Sequence, residues 1–159
     1  MHFRVGNGFD AHKLEKGNGI TLGGIFIPCE YSLIAHSDGD IIAHTICDAL
    51  LGAANLGDIG IHFPNTKKIE NISGKKMIDE VLNKLQEKNY EISNVDITYI
   101  GEVPRLNSFK LEIISSLSKF LKVDEEKISC KATTTDQLGF AGKKEGVACL
   151  TNVLIYKNS

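Results

Sequence analysis

The stretch Gly8-Phe9-Asp10-Ala11-His12 follows a strand-like Phe3-Arg4-Val5-Gly6-Asn7 and sets a carboxylate and an imidazole two residues apart. On a strand, residues i and i+2 point to the same side, so Asp10 and His12 can aim at one point. His44 lies in a helical stretch, with Asp40 and Asp48 one turn away on either side. In that geometry a flanking carboxylate fixes the imidazole tautomer and leaves the other ring nitrogen for a metal. Two histidines and one carboxylate would make a three-ligand site; catalytic zinc typically has three protein ligands and one open position, and non-haem iron uses the same ligand types. The residue types alone do not choose between them.

Other polar groups surround this nucleus in the sequence. Ala35-His36-Ser37-Asp38 ends in a turn whose N–H groups and Ser37 hydroxyl suit an oxyanion, and His36 can carry charge beside a phosphate. Asp58-Ile59-Gly60 is an acidic tight turn. Lys131-Ala132-Thr133-Thr134-Thr135-Asp136 closes a strand with hydroxyls that lead into a carboxylate and a glycine-rich turn. That is a pattern suited to phosphate and magnesium. Pro104-Arg105 and Lys143-Lys144 add cations. From spacing alone the chain reads as a metal-dependent enzyme acting on a phosphorylated small molecule.

The elements that must position these groups follow from periodicity. Strands are expected at about 2–9, in Ile20–Pro28, in Val95–Gly101, in Lys127–Thr135 and in Gly146–Tyr156. Helices are expected over 41–54, capped by Asp38 or Asp40, over 74–88, and over about 107–121 with Leu111, Ile114, Leu117, Ser118 and Leu121 buried. Strands interleaved with helices, without linker or repeat, predict one domain over residues 1–159. Its fold class would be α+β, a two-layer sandwich with a mixed sheet of about four main strands packed on helices.

Composition narrows the function. The 159 residues carry a formal net charge of −2, without the basic footprint of a nucleic-acid binder. No apolar run approaches the roughly 20 residues of a membrane span, and the amino terminus reads as strand rather than signal. The four cysteines are far apart with no C-x-x-C pair, which suits buried reduced thiols. Gly6-Asn7-Gly8-Phe9-Asp10-Ala11 matches G-x-G-x-x-A, but no helix follows to present its amino terminus to a pyrophosphate, so a dinucleotide site is rejected.

Taken together, GFDAH, AHSDGDIIAH, DALLGAANLGDIG, HFP, VDITYI and KATTTDQLGFAGKKEGVA resemble the 2-C-methyl-D-erythritol 2,4-cyclodiphosphate synthase family, in order from about Arg4 to Ile155. The resemblance implies cyclisation of 4-diphosphocytidyl-2-C-methyl-D-erythritol 2-phosphate with release of CMP, in non-mevalonate isoprenoid biosynthesis. It implies a homotrimer with sites between subunits, in a bacterial cytoplasm or plastid stroma, with no nucleic-acid or membrane partner. Asp10, His12 and His44 would bind zinc, and Asp136 a second ion, magnesium or manganese, between the substrate phosphates. His36 and Thr134 would act on the transition state, and Ser37, with Ala11, would help hold substrate.

Asp58, Ile59 and Gly60 would contact the methylerythritol part, with Phe63, Pro64, Asn65, Thr66 and Lys67 nearby. Gly101, Glu102, Val103, Pro104, Arg105, Leu106 and Asn107 would form the cytidine and phosphate pocket with Thr133, Thr134 and Thr135. Phe140 and Lys143 would complete the substrate side. Several positions depart from the common family pattern. Asp136 stands for a common Glu, Lys67 reverses a charge, Arg105 replaces a Lys, and Lys143 stands where an Arg often lines the trimer axis. Two other readings compete: a metal-dependent phosphohydrolase and a non-catalytic trimeric binder of isoprenoid diphosphates.

Overall fold

A computed structural model describes residues 2–35, 37–64 and 71–157. Among them, strand β1 (His2–Lys16) is the longest, followed by a hairpin of β2 (Gly19–Leu22) and β3 (Ile25–Pro28), then β4 (Tyr31–Ile34). Helix α1 (Ile41–Ala53) and a single turn α2 (Ile59–His62) precede α3 (Gly74–Glu87). The second half runs β5 (Glu91–Ile100), α4 (Lys110–Leu121), β6 (Ile128–Thr133), a short turn α5 (Gly139–Gly142) and β7 (Gly146–Lys157).

The main sheet has the order β4-β1-β7-β5-β6, mixed because β5 and β6 are parallel while the other neighbours are antiparallel. A parallel pair needs a crossover, and α4 supplies it. Residues of even number in β1 turn inward, from Gly6 to Leu14, and α1 covers them. The opposite face of the sheet leaves Phe3, Val5 and Phe9 exposed, Val5 at 73%. This is the expected α+β sandwich of helices on one side of a mixed sheet, with five strands where about four were predicted.

A strand boundary and a helix face differ from expectation. β1 continues to Lys16, so Asp10 and His12 lie within the strand rather than at its end. The extra length is paired by β7 through Lys13↔Gly146 and by β4 through Lys16↔Tyr31, partners remote in sequence. On α4 the buried stripe is Ile113, Leu117 and Leu121, and Leu111 is 81% exposed. The four-residue ladder 113-117-121 meets the core, and Leu111, half a turn away from Ile113, points to solvent.

Asp40 ties the layers together. Its carboxylate is buried and accepts from Ala43 N as the cap of α1, at 3.2 Å. It also accepts from Gly23 N at 2.9 Å and Gly24 N at 2.8 Å, the turn of the β2–β3 hairpin. Both glycines take positive φ, which makes the two N–H groups converge. Burial pushes the Asp40 carboxyl up from the ordinary range, and the three N–H donors pull against that. Of the cysteines, Cys47, Cys130 and Cys149 are buried and unpaired, and burial raises their thiols, Cys149 to about 12. They are inert core groups, as predicted.

Replacing Asp40 with Ala strips three backbone donors of their acceptor, two of them outside the helix. We expect a loss of about 3–5 kcal/mol, and about 10 °C in Tm, in thermal unfolding. Asp40→Asn, which keeps one acceptor oxygen, should lose roughly half as much.

Candidate metal centre

The sheet and α1 bring three side chains to one point. Asp10 and His12 leave β1 on the helix-facing side, and His44 comes down from the first turns of α1. Asp10 Oδ2 lies 2.8 Å from His12 Nε2 and 3.2 Å from His44 Nδ1, and the two nitrogens are 3.3 Å apart. A tetrahedral ion with ligand bonds of about 2.0–2.1 Å needs donor atoms about 3.3 Å apart, so the triangle fits such an ion with little adjustment. The set is one oxygen and two nitrogens, within reach of one another and half-buried or buried.

Each donor is held from behind. Asp10 Oδ1 accepts from Ala11 N at 2.8 Å, which leaves Oδ2 as the inward oxygen. Half-burial raises the Asp10 carboxyl, but the hydrogen bonds and charges of His12 and His44 outweigh it and hold the group well below the usual carboxylate range. It is therefore ionised, as a ligand must be. His44 Nε2 meets Ser37 Oγ at 2.8 Å, and the same oxygen accepts from Gly39 N at 3.2 Å. With Nδ1 turned to the cluster, a neutral His44 carries its proton on Nε2 and donates it to Ser37. Both acceptor positions of Ser37 are then used, and with no acceptor for its O–H among the described residues the hydroxyl can donate into the cavity beside it. His12 Nδ1 is buried and has no partner among the described residues.

The expectation for Asp40 and Asp48 as partners of His44 is therefore corrected. Asp40 is consumed by capping and by the hairpin turn, and Asp48 accepts from Ile59 N at 2.8 Å. Residues one turn apart share a helix face, but backbone donors from other segments outcompete the neighbouring imidazole. Asp48 instead docks the 58–60 turn onto α1. Asp58 then caps that turn, its Oδ1 accepting from Ile61 N at 3.0 Å.

The cluster opens on a cavity of about 370 Å³ lined by His12, Ser37 and His44 on one wall. Ile59, Gly60, Phe63 and Pro64 also line it, as do Ile34, Ala35, Ile72 and Met77, and the cavity is open to one side. Of the expected 58–60 turn, Ile59 and Gly60 line the cavity beside Phe63 and Pro64, while Asp58 is exposed and is not among the lining residues. The apolar residues Ile34, Ile72 and Met77 were not foreseen, because an apolar lining residue has the same sequence signature as a core residue. His36, Asn65, Thr66 and Lys67 lie outside the described residues.

The second group of expected residues is elsewhere. Residues 101–107 and 133–136 follow the ends of β5 and β6, joined by Gly101 N donating to Thr133 O at 3.0 Å. Tyr99 OH donates to Val103 O at 2.7 Å and pins the loop, while Pro104 and Leu106 are buried, so Leu106 offers a ligand only its backbone. Arg105, Asn107, Thr133, Thr134, Asp136 and Lys143 are exposed, as is Phe140 at 44%. Glu102 Oε1 is buried without a partner among the described residues. Thr135 Oγ1 donates to Leu138 O at 2.6 Å and shapes the turn after Asp136, which has φ of 52°. In the sheet register Ala11, Ala148, Ile100 and Thr133 lie in one row, three strand spacings or about 14 Å across. One chain does not bring the two groups together.

Residues 3–156 match the YgbB family. The chain belongs to that family. Two YgbB-type relatives are each named 2-C-methyl-D-erythritol 2,4-cyclodiphosphate synthase. One, from Azobacteroides pseudotrichonymphae, is 45% identical, covering 98% of this chain and 93% of its own. The other, from Clostridium kluyveri, is 47% identical over 98% and 95%. Among solved structures, a Plasmodium falciparum IspF in complex with CDP is 37% identical with a TM-score of 0.88, covering 98% of this chain and 97% of that one. The bifunctional IspDF of Campylobacter jejuni superposes with a TM-score of 0.95 at 40% identity over 99% of this chain, which spans 43% of that larger protein.

His12→Ala and His44→Ala each remove one of three donors. Metal content measured by atomic emission after dialysis should fall from one equivalent to near zero in both. Ser37→Ala should keep the metal but weaken it about 10-fold in a chelator competition, because His44 loses its outer partner. Full metal content in either histidine variant would refute the assigned triad.

Proposed function

We infer that this chain cyclises 4-diphosphocytidyl-2-C-methyl-D-erythritol 2-phosphate to 2-C-methyl-D-erythritol 2,4-cyclodiphosphate, releasing CMP. It is a phosphorus–oxygen lyase of isoprenoid precursor synthesis. The observation that carries this, beside the family membership, is the Asp10–His12–His44 donor triangle beside an open, mostly apolar cavity. An oxygen of the 2-phosphate forms a bond to the β-phosphorus of the same molecule. The bond from that phosphorus to the α–β bridging oxygen breaks, and CMP leaves with the electron pair. Both partners are phosphates, so anion repulsion is the main obstacle and no side-chain nucleophile is needed.

The donor set suits zinc, held by Asp10, His12 and His44. Bound there, it would supply Lewis-acid charge neutralisation to a phosphate oxygen. The Ser37 O–H, free of its neighbours, donates to a phosphate oxygen alongside. His36 and Thr134 are assigned to the transition state, and Asp136, with magnesium or manganese, to the α- and β-phosphates. Asp58, with one oxygen spent on capping α2, turns the other to a hydroxyl of the erythritol, and the Gly60 backbone follows it. Ile34, Ile59, Phe63, Ile72 and Met77 keep water from the β-phosphorus. That matters because water is the competing nucleophile, and its attack would give an open-chain product.

We further propose that the chain works as a homotrimer whose sites lie between subunits. The supporting observations are the bare apolar sheet face with Phe3, Val5 and Phe9, and the separation of the 101–107 and 133–136 loops from the metal cluster. In this arrangement Gly101 to Asn107, Thr133 to Asp136, Phe140 and Lys143 of one subunit complete the cavity of its neighbour.

Phosphorus NMR of the protein with the cytidine-diphospho substrate, zinc and magnesium tests the chemistry. Cyclic diphosphate with stoichiometric CMP is the expected result, and an open-chain diphosphate would overturn it. Subunit complementation tests the shared site. His44→Ala and Thr134→Ala should each be inactive alone, and refolding the two together at equal ratio should restore about a quarter of wild-type activity. No recovery in a confirmed mixed oligomer would place each site within one chain.

A further inference from the structure

The Gly6-x-Gly8 pair, rejected as a phosphate fingerprint, has another task in this fold. Both glycines are buried beneath α1 and neither has a positive φ, so it is space and not backbone freedom that demands glycine. A Cβ on Gly8 would stand 2.1 Å from Thr45 O, and one on Gly6 would stand 2.0 Å from Ala49 O and 2.7 Å from Ala53 N. These are backbone atoms of α1, which no side-chain rotation can move away. The helix therefore lies directly on the strand, its small residues Thr45, Ala49 and Ala53 over the glycines.

The helix and strand run in opposite senses along this contact. Gly6 meets Ala49 and Ala53, and Gly8 meets Thr45. One strand step of two residues, about 6.6 Å, keeps pace with one helical turn of about 5.4 Å. The next step along β1 is Asp10, and the residue beside Thr45 on the helix is His44. The contact that forbids a Cβ at Gly8 is thus immediately next to the one that closes the donor triangle.

We propose that Gly8, supported by Gly6, is a positioning residue of the metal centre: its missing Cβ sets the gap between α1 and β1 at which His44 reaches Asp10 and His12. The proposal rests on reading that triangle as a metal site. A methyl group at residue 8 must push the Thr45 carbonyl from 2.1 Å to ordinary contact beyond 3.4 Å, a displacement of more than 1 Å. Asp10 and His12 stay with the strand, so the displacement falls on the 3.2 Å and 3.3 Å spacings of His44. A site of this kind tolerates about 0.5 Å of error.

The test measures zinc affinity of the full-length protein by chelator competition, with the visible spectrum of the cobalt-substituted protein as a report on ligand geometry. Gly8→Ala should lose about 10–100-fold in zinc affinity and show an altered cobalt spectrum. Leu50→Ala, a cavity-forming change on the same helix away from the strand glycines, serves as the control for lost stability. It should keep affinity within about 3-fold and leave the spectrum unchanged. Gly6→Ala, whose clash is one turn farther from His44, gives a second reading if Gly8→Ala does not fold, with a loss of about 10-fold expected. Wild-type affinity and spectrum in a folded Gly8→Ala, or in Gly6→Ala where the first is lost, would overturn the proposal. So would equal losses in Leu50→Ala. A wild-type protein that binds neither zinc nor cobalt would instead overturn the metal reading and this proposal with it.

Discussion

The structure depends on a helix laid against a strand with almost nothing between them. Helix α1 is buried along nearly its whole length, and its backbone touches that of β1 where Gly6 and Gly8 leave room. Thr45 Oγ1 meets Thr151 Oγ1 of the neighbouring strand β7 at 2.7 Å, so two buried hydroxyls pair and help fix the register of helix on sheet. From this one packing arrangement follow the position of His44 over Asp10 and the burial of the cluster. The docking of the 58–60 turn through Asp48 follows as well.

Four aspartates around the site, Asp40 buried, Asp10 and Asp48 half-buried and Asp38 exposed, each have a specific duty. Asp40 gathers three backbone N–H groups and joins α1 to the hairpin. Asp38 Oδ2 accepts from Gly74 N at 2.7 Å and anchors the start of α3. Asp48 holds the α2 turn, and only Asp10 is left facing two imidazoles. Burial of a carboxylate is costly unless it is hydrogen-bonded, and Asp10, Asp40 and Asp48 meet that cost through backbone donors or histidines. The result is a rigid frame around a cavity whose floor carries the chemistry and whose walls are mostly apolar.

The sheet's two faces divide the labour. The inner face carries the core and the donor cluster, and the outer face leaves aromatic and β-branched side chains exposed. The loops after β5 and β6 lie at the same end of the sheet as the cluster but two and three strands away. The proposed homotrimer would reconcile these facts by covering the outer face and bringing one chain's loops to another chain's cavity.

The sequence by itself determined a good deal. Period-two spacing put Asp10 and His12 on one side of a strand, and the 3.6-residue stripe placed His44 on a helix. The turn formers around Asp58 and Gly60 and the hydroxyl run 133–135 were legible as polar groups at element ends. Local geometry decides these matters, and local geometry is what spacing records. Only the tertiary structure decided that Asp40 and Asp48 serve backbone donors rather than His44, and that Ser37 takes that role. It alone showed that β1 runs on to Lys16, that α4 buries Ile113 and leaves Leu111 in solvent, and that Gly6 and Gly8 face a helix rather than a phosphate. Each of those outcomes is a competition between partners distant in the chain, and a competition is settled by which groups the fold brings within a few ångströms.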